Sequence, residues 1–134
     1  MFAGSLEVRD LPEAWNAQYR ELLGVQPPDD GAGVLQDIHW AMGAFGYFPT
    51  YALGNLMAAQ LFEAAQRDLG DLELAFAQGD FTPLRGWLRA QIHVHGRRWT
   101  SADLLRKATG QELSPQPFLR ALRQRLGQVY PGGG

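Results

Sequence analysis

In the stretch DIHWAMGAFGYFPTY, residues 37 to 51, polar atoms ride on bulky rings. His39, Tyr47 and Tyr51 combine hydrogen-bonding groups with aromatic bodies, where Leu, Ile or Val would fill a core more simply. An imidazole or a phenol can donate to an oxyanion developing on a peptide carbonyl, or to a substrate carboxylate. Gly43 and Gly46 let the backbone turn tightly and approach a ligand. An aromatic-rich core segment has a similar composition, so the residues alone leave a packing reading open beside the chemical one.

Other chemistries find less support. A zinc enzyme needs three protein ligands converging on one point, and the chain has 3 His: His39, His93 and His95. His93 and His95 are two apart near an expected helix end and do not share a helix face, so they chelate poorly. No His-Glu-x-x-His occurs, no Gly-x-Ser-x-Gly, and no Cys for a thiolate site or a disulfide. GVLQD and GAFGYF lack the Lys and the spacing of a phosphate loop. Asp29-Asp30 reads as turn chemistry, and Ser5, Ser101 and Ser114 sit in tail or cap contexts.

The elements that must position the 37–51 stretch read as helices. Asp10 with Glu13 reads as a capping box with Pro12 in the first turn, opening a helix over 12–23 that Gly24 closes. VQPPDDGAG, 25 to 33, is a loop. Pro49 opens a long helix over 50–69 whose apolar stripe includes Tyr51, Leu53, Leu56, Ala59, Leu61 and Phe62. Further helices are expected over 71–78, 83–95, 101–109 and 115–129, punctuated by Gly79, Thr82-Pro83, Gly96, TSAD at 100–103, Gly110 and Ser114-Pro115. About six helices and no sheet make an all-α fold, and the length of 134 residues suits a single helical domain, 1–134.

Composition narrows the partners. The chain is 46% hydrophobic and 19% charged, enough to bury a core. A formal net charge of -2 gives no bulk attraction for nucleic acid. Arg97, Arg98, Arg106, Arg120, Arg123 and Arg125 read as solvated helix faces. No apolar run reaches the ~18 residues of a membrane span, and MFAGSLEVRD lacks the basic and apolar regions of a signal peptide. The expectation is a soluble cytoplasmic protein with no nucleic-acid and no membrane partner.

At residues 33 to 55, GVLQDIHWAMGAFGYFPTYALGN, the chain resembles the thermostable carboxypeptidase (carboxypeptidase Taq-like) family of zinc metallocarboxypeptidases. The family pattern Gly-x-x-Gln-Asp-x-His-Trp is met by Gly33, Gln36, Asp37, His39 and Trp40. Its Phe-Gly-Tyr-Phe-Pro-(Thr/Ser)-Tyr-x-Leu-Gly-Asn is met by Phe45 to Tyr51 with Leu53, Gly54 and Asn55. The resemblance continues through DLPEAWNAQYRELLGV before it, and GDFTPLRGWLRAQIHVHG and LLRKATGQELSPQPFLRAL after it. It implies zinc in the full-length enzyme, a peptide substrate and removal of C-terminal residues. It implies that His39, Tyr47 and Tyr51 serve the transition state from the wall facing the zinc, as the His and paired Tyr of related oligopeptidases do. Gln36 and Asp37 would orient His39; Trp40, Phe45 and Phe48 would pack that wall.

The departure from the family is length. The resemblance reaches only the C-terminal part of longer relatives, whose zinc motif, downstream Glu ligand and carboxylate-reading Arg motif lie upstream. The chain is therefore expected to be truncated relative to the full-length family, to hold no zinc and hydrolyse no peptide alone, and to expose an apolar face that meets the missing N-terminal half or drives homo-oligomer formation. The alternative is a catalytically inactive helical interaction or binding protein derived from that family.

Overall fold

The structure, a computed structural model, describes residues 4–130. Every regular element among them is helical. The α-helices are α1 (Leu11–Leu23), α2 (Ile38–Ala41), α3 (Pro49–Leu69), α4 (Leu72–Ala77), α5 (Thr82–Gln91), α6 (Ser101–Thr109) and α7 (Gln116–Val129). Three-residue 3-10 turns lie at Val8–Asp10, Val34–Gln36 and His93–His95. The all-α expectation holds. Contacts group the chain into two compact units, Met1–Phe48 and Pro49–Gly134.

In the first unit, α1 carries Pro at its start and ends at Gly24, whose φ of 68° turns the chain while its N–H donates to the Arg20 carbonyl. The expected capping box does not form. Asp10 is the last residue of a 3-10 turn, so its backbone is already helical (φ -92°, ψ -1°) and its carboxylate caps nothing. An N-cap needs extended backbone to swing its side chain onto the free N–H groups. Trp15 stacks on Tyr19 at 5.0 Å between centroids and meets Trp40 edge-on at 6.0 Å.

The second unit is built on α3, which packs against α5, α6 and α7. Its core joins Ala64, Ala65, Leu72, Trp87 and Ala108, with Leu61, Phe62, Phe76, Leu84, Leu88 and Ile92 packed around them. Burial on α3 is confined to its C-terminal half, at Gln60, Ala64 and Ala65; Tyr51 and Leu53, at the start of the apolar stripe, are exposed. The TSAD cap forms as expected, and Asp71 adds one not among the expected caps. Asp71 accepts from the Glu73 and Leu74 N–H groups, and Thr100 Oγ1 from Asp103 N at 3.1 Å. Gly79 (φ 75°) closes α4 with paired bonds from Gly79 N to Phe76 O and Asp80 N to Ala75 O, each 2.9 Å. Helix α5 stops at Gln91 rather than near 95, because Ile92 leaves helical geometry (φ -122°, ψ -62°) and the next residues tighten into a 3-10 turn. No helix among the described residues is long and apolar enough to cross a membrane.

Candidate functional site

The loop before His39 is braced locally. Asp29 Oδ1 accepts from Ala32 N at 2.8 Å, and Gln36 Nε2 donates to the Gly31 carbonyl at 2.8 Å. Gly33 is a Gly for reasons of space: a Cβ there would lie 3.2 Å from the Asp29 carbonyl oxygen and 3.2 Å from Pro27 Cβ. The 3-10 turn Val34–Gln36 then delivers Asp37 in extended backbone (φ -80°, ψ 95°), the geometry an N-cap requires.

Asp37 caps α2 and grips His39 with one oxygen. Its Oδ1 accepts from the His39 main-chain N–H at 2.9 Å and lies 2.8 Å from His39 Nδ1. Both side chains are largely shielded, at 19% exposure for His39 and 13% for Asp37. Gly43 (φ 73°) ends the short helix: Gly43 N donates to Trp40 O at 3.0 Å and Ala44 N to His39 O at 2.8 Å. This closure needs the left-handed backbone that Gly adopts without penalty, and it brings the aromatic run back over the helix. Tyr47 stacks on His39 (5.0 Å, 26°) and Phe48 meets the imidazole edge-on (5.2 Å, 86°). Trp40 turns to the other aromatics, Trp15 and Phe45 at 5.9 Å, and packs as expected of a wall residue.

Asp37, His39 and Tyr47 are therefore assembled together. Gln36 is engaged with the loop carbonyl of Gly31 through its amide nitrogen. Tyr51 belongs to the second unit, in the first turn of α3, and is 54% exposed. Sequence reasoning named Phe48 as packing; its edge contact with the imidazole adds it to the residues that hold His39. Among the described residues no group of three or more His, Cys, Asp or Glu could hold a metal ion. His93 and His95 sit on the 3-10 turn that follows α5.

Comparison with known proteins gives the class of this helical chain with its partly buried Asp37–His39 pair. Residues 1–126 match the model of the carboxypeptidase Taq (M32) metallopeptidase family. The chain belongs to that family. It is 50% identical over 130 residues to thermostable carboxypeptidase 1 of Thermus thermophilus, covering 97% of this chain and 26% of that protein. It is 40% identical over 130 residues to carboxypeptidase 1 of Bacillus subtilis, again over 97% of this chain and 26% of the relative. The crystal structure of the M32 carboxypeptidase from Deinococcus radiodurans R1 superposes with a TM-score of 0.90 at 46% identity, over 96% of this chain and 26% of that one. The chain thus spans about a quarter of the length of the relatives it matches.

Proposed function

We propose that this chain corresponds to the C-terminal, substrate-side portion of a zinc metallocarboxypeptidase that removes C-terminal residues from peptides. In this reading His39, Tyr47 and Tyr51 provide hydrogen bonds to the substrate and its transition state, Asp37 holds His39, Gln36 braces the loop, and Trp40 packs on Trp15 and Phe45. The observation that carries it is the Asp37–His39 pair under the Tyr47 ring, a shielded and pre-aimed imidazole inside a family-matched segment. Pre-aimed donors save the cost of reorientation during reaction. The metal is supplied outside the residues described here, so the chain's own contribution is to bind, orient and hydrogen-bond.

The test is made in a full-length relative, at the positions matching His39, Tyr47 and Tyr51. Changing His to Ala, or either Tyr to Phe, is expected to lower kcat by about 10²–10³ per lost hydrogen-bonding group, with a smaller change in KM. An unchanged kcat at all three positions would end the reading. The isolated chain is expected to keep no stoichiometric zinc after dialysis and to release no residue from a blocked dipeptide; zinc together with turnover would count against it. Exposed Leu22 (72%), Leu23 (64%), Ile38 (66%) and Met42 (67%) support an apolar face that meets further chain or a second copy. Light scattering across a concentration series tests self-association, and a strictly monomeric species at every concentration would argue against it.

A further inference from the structure

The geometry points to Asp37 as a positioning residue that fixes His39 in its Nδ1–H form, so that the nitrogen offered to a ligand, Nε2, is a hydrogen-bond acceptor whenever the ring is neutral. This rests on the proposed substrate-side role of His39 and sharpens it. A neutral imidazole carries one N–H, and the partner of one nitrogen decides where that proton sits. Asp37 Oδ1 is already committed as an acceptor, since the His39 main-chain N–H donates to it at 2.9 Å. The same oxygen faces Nδ1 at 2.8 Å, so Nδ1 is the donor there. Turning the ring over about Cβ–Cγ would put Cδ2 in place of Nδ1 and lose this bond, and the neighbouring rings oppose that turn. Tyr47 is stacked on it at 5.0 Å and Phe48 abuts it at 5.2 Å.

The consequence divides labour within the site. A neutral His39 cannot donate to an oxyanion through Nε2; it accepts there, as from a substrate amide N–H. Donation to an oxyanion from His39 requires the imidazolium, in which both nitrogens carry protons and Asp37 takes one of them. A phenolic hydroxyl, as on Tyr47 or Tyr51, carries its proton without such a change.

Nitrogen-15 NMR of the chain, labelled at histidine, reads the tautomer directly. The expected spectrum at a pH where the ring is neutral shows a pyrrole-type Nδ1 and a pyridine-type Nε2 for His39. In D37S, which retains a residue able to cap α2 while removing the carboxylate, the Nε2–H form should take over; D37A should do the same. A merely structural role for Asp37 would leave the tautomer alone. A wild-type neutral ring protonated at Nε2 overturns the proposal, as does an Nδ1–H form that persists in D37S or D37A with an otherwise native amide spectrum. If neither variant folds, the wild-type spectrum decides. An Nδ1–H result alongside unchanged kcat for the His39-position variant in a full-length relative would sink the functional role and leave the tautomer assignment standing; the converse pair of results separates them the other way.

Discussion

Residues 4–48 and 49–130 solve folding in different ways. The second region buries Ala64, Ala65, Leu72, Trp87, Leu105 and Ala108, with Gln60 and Thr109 beside them. In the first, Val34 is the buried hydrophobic side chain, while Leu22, Leu23, Leu35, Ile38 and Met42 stand in solvent. The indole Nε1 of Trp15 is shielded with no hydrogen-bond partner among the described residues, a cost of about 1–3 kcal/mol for a buried polar group. The region rich in candidate chemistry is held by turns, an N-cap, four left-handed glycines and ring stacking. Of the candidate site residues, Tyr51 lies in the region with the core. Precise local aiming of His39 thus comes from short-range bonds, which survive without a large core but lend little stability.

The sharpest way to break this contrast is to cut both regions equally. Leu105 is 1% exposed, and L105A should cost the second region about 2–5 kcal/mol, as buried Leu to Ala changes do. V34A removes fewer atoms from a shallow cluster and should cost less. Urea titration measures both; equal losses would show that the first region is as dependent on its interior as the second.

Next in size is the polar part of the second region's interior. Gln60, 3% exposed, donates to the Glu112 carbonyl at 2.9 Å and accepts from Ser114 N at 3.0 Å. It thereby pins the connection between α6 and α7 to the middle of α3. In Q60A both main-chain groups lose their partner, so a cost of about 1–3 kcal/mol is expected, with faster exchange of the Ser114 amide. Unchanged exchange there would mean the connection holds itself. Smaller again is the cap of α4: D71A should cost about 1 kcal/mol, read from the thermal midpoint, because the Glu73 and Leu74 N–H groups lose their acceptor.

The same contrast governs what could be read from the sequence. The helices of the second region were legible because Pro49, Thr100, Gly79 and Gly110 punctuate long apolar stripes, and those signals are local. The misreading of Asp10 arose because a capping residue is recognised by type, while its function depends on backbone angles that the preceding 3-10 turn sets. Helix α2 has four residues, too few to show a period, so the cap that aims His39 was visible as a pair of residues but not as an element. The break at Ile92 has no Gly or Pro at that position to announce it. Gln36 was grouped with Asp37 by adjacency, yet successive residues leave a turn in different directions, and its amide reaches Gly31 instead.

The smallest expected effect concerns acid. Asp68 Oδ2 accepts from the Trp87 indole Nε1 at 2.9 Å, and Oδ1 from Arg67 Nε at 3.0 Å. The indole bond first, and the Arg67 bond and charge after it, hold the carboxyl below its ordinary value. Asp80 is lowered likewise, by the Thr82 main-chain and hydroxyl donors. A carboxylate whose folded pKa is depressed contributes stability above its unfolded pKa, and that contribution is lost as pH falls through the folded value. The window therefore opens near pH ~4, the ordinary Asp range, and extends downward. In D68N the amide oxygen can still accept from Trp87, so stability near neutrality should shift modestly, while its decline on acidification should become shallower than in the wild type. Both groups lie in the second region, so the change should register there, at Trp87 and the residues packed on it. Thermal midpoints of wild type and D68N across a descending pH series measure the difference. Parallel curves would show that the indole–carboxylate bond contributes equally in both protonation states, and would remove acid sensitivity from the list of properties that separate the two regions.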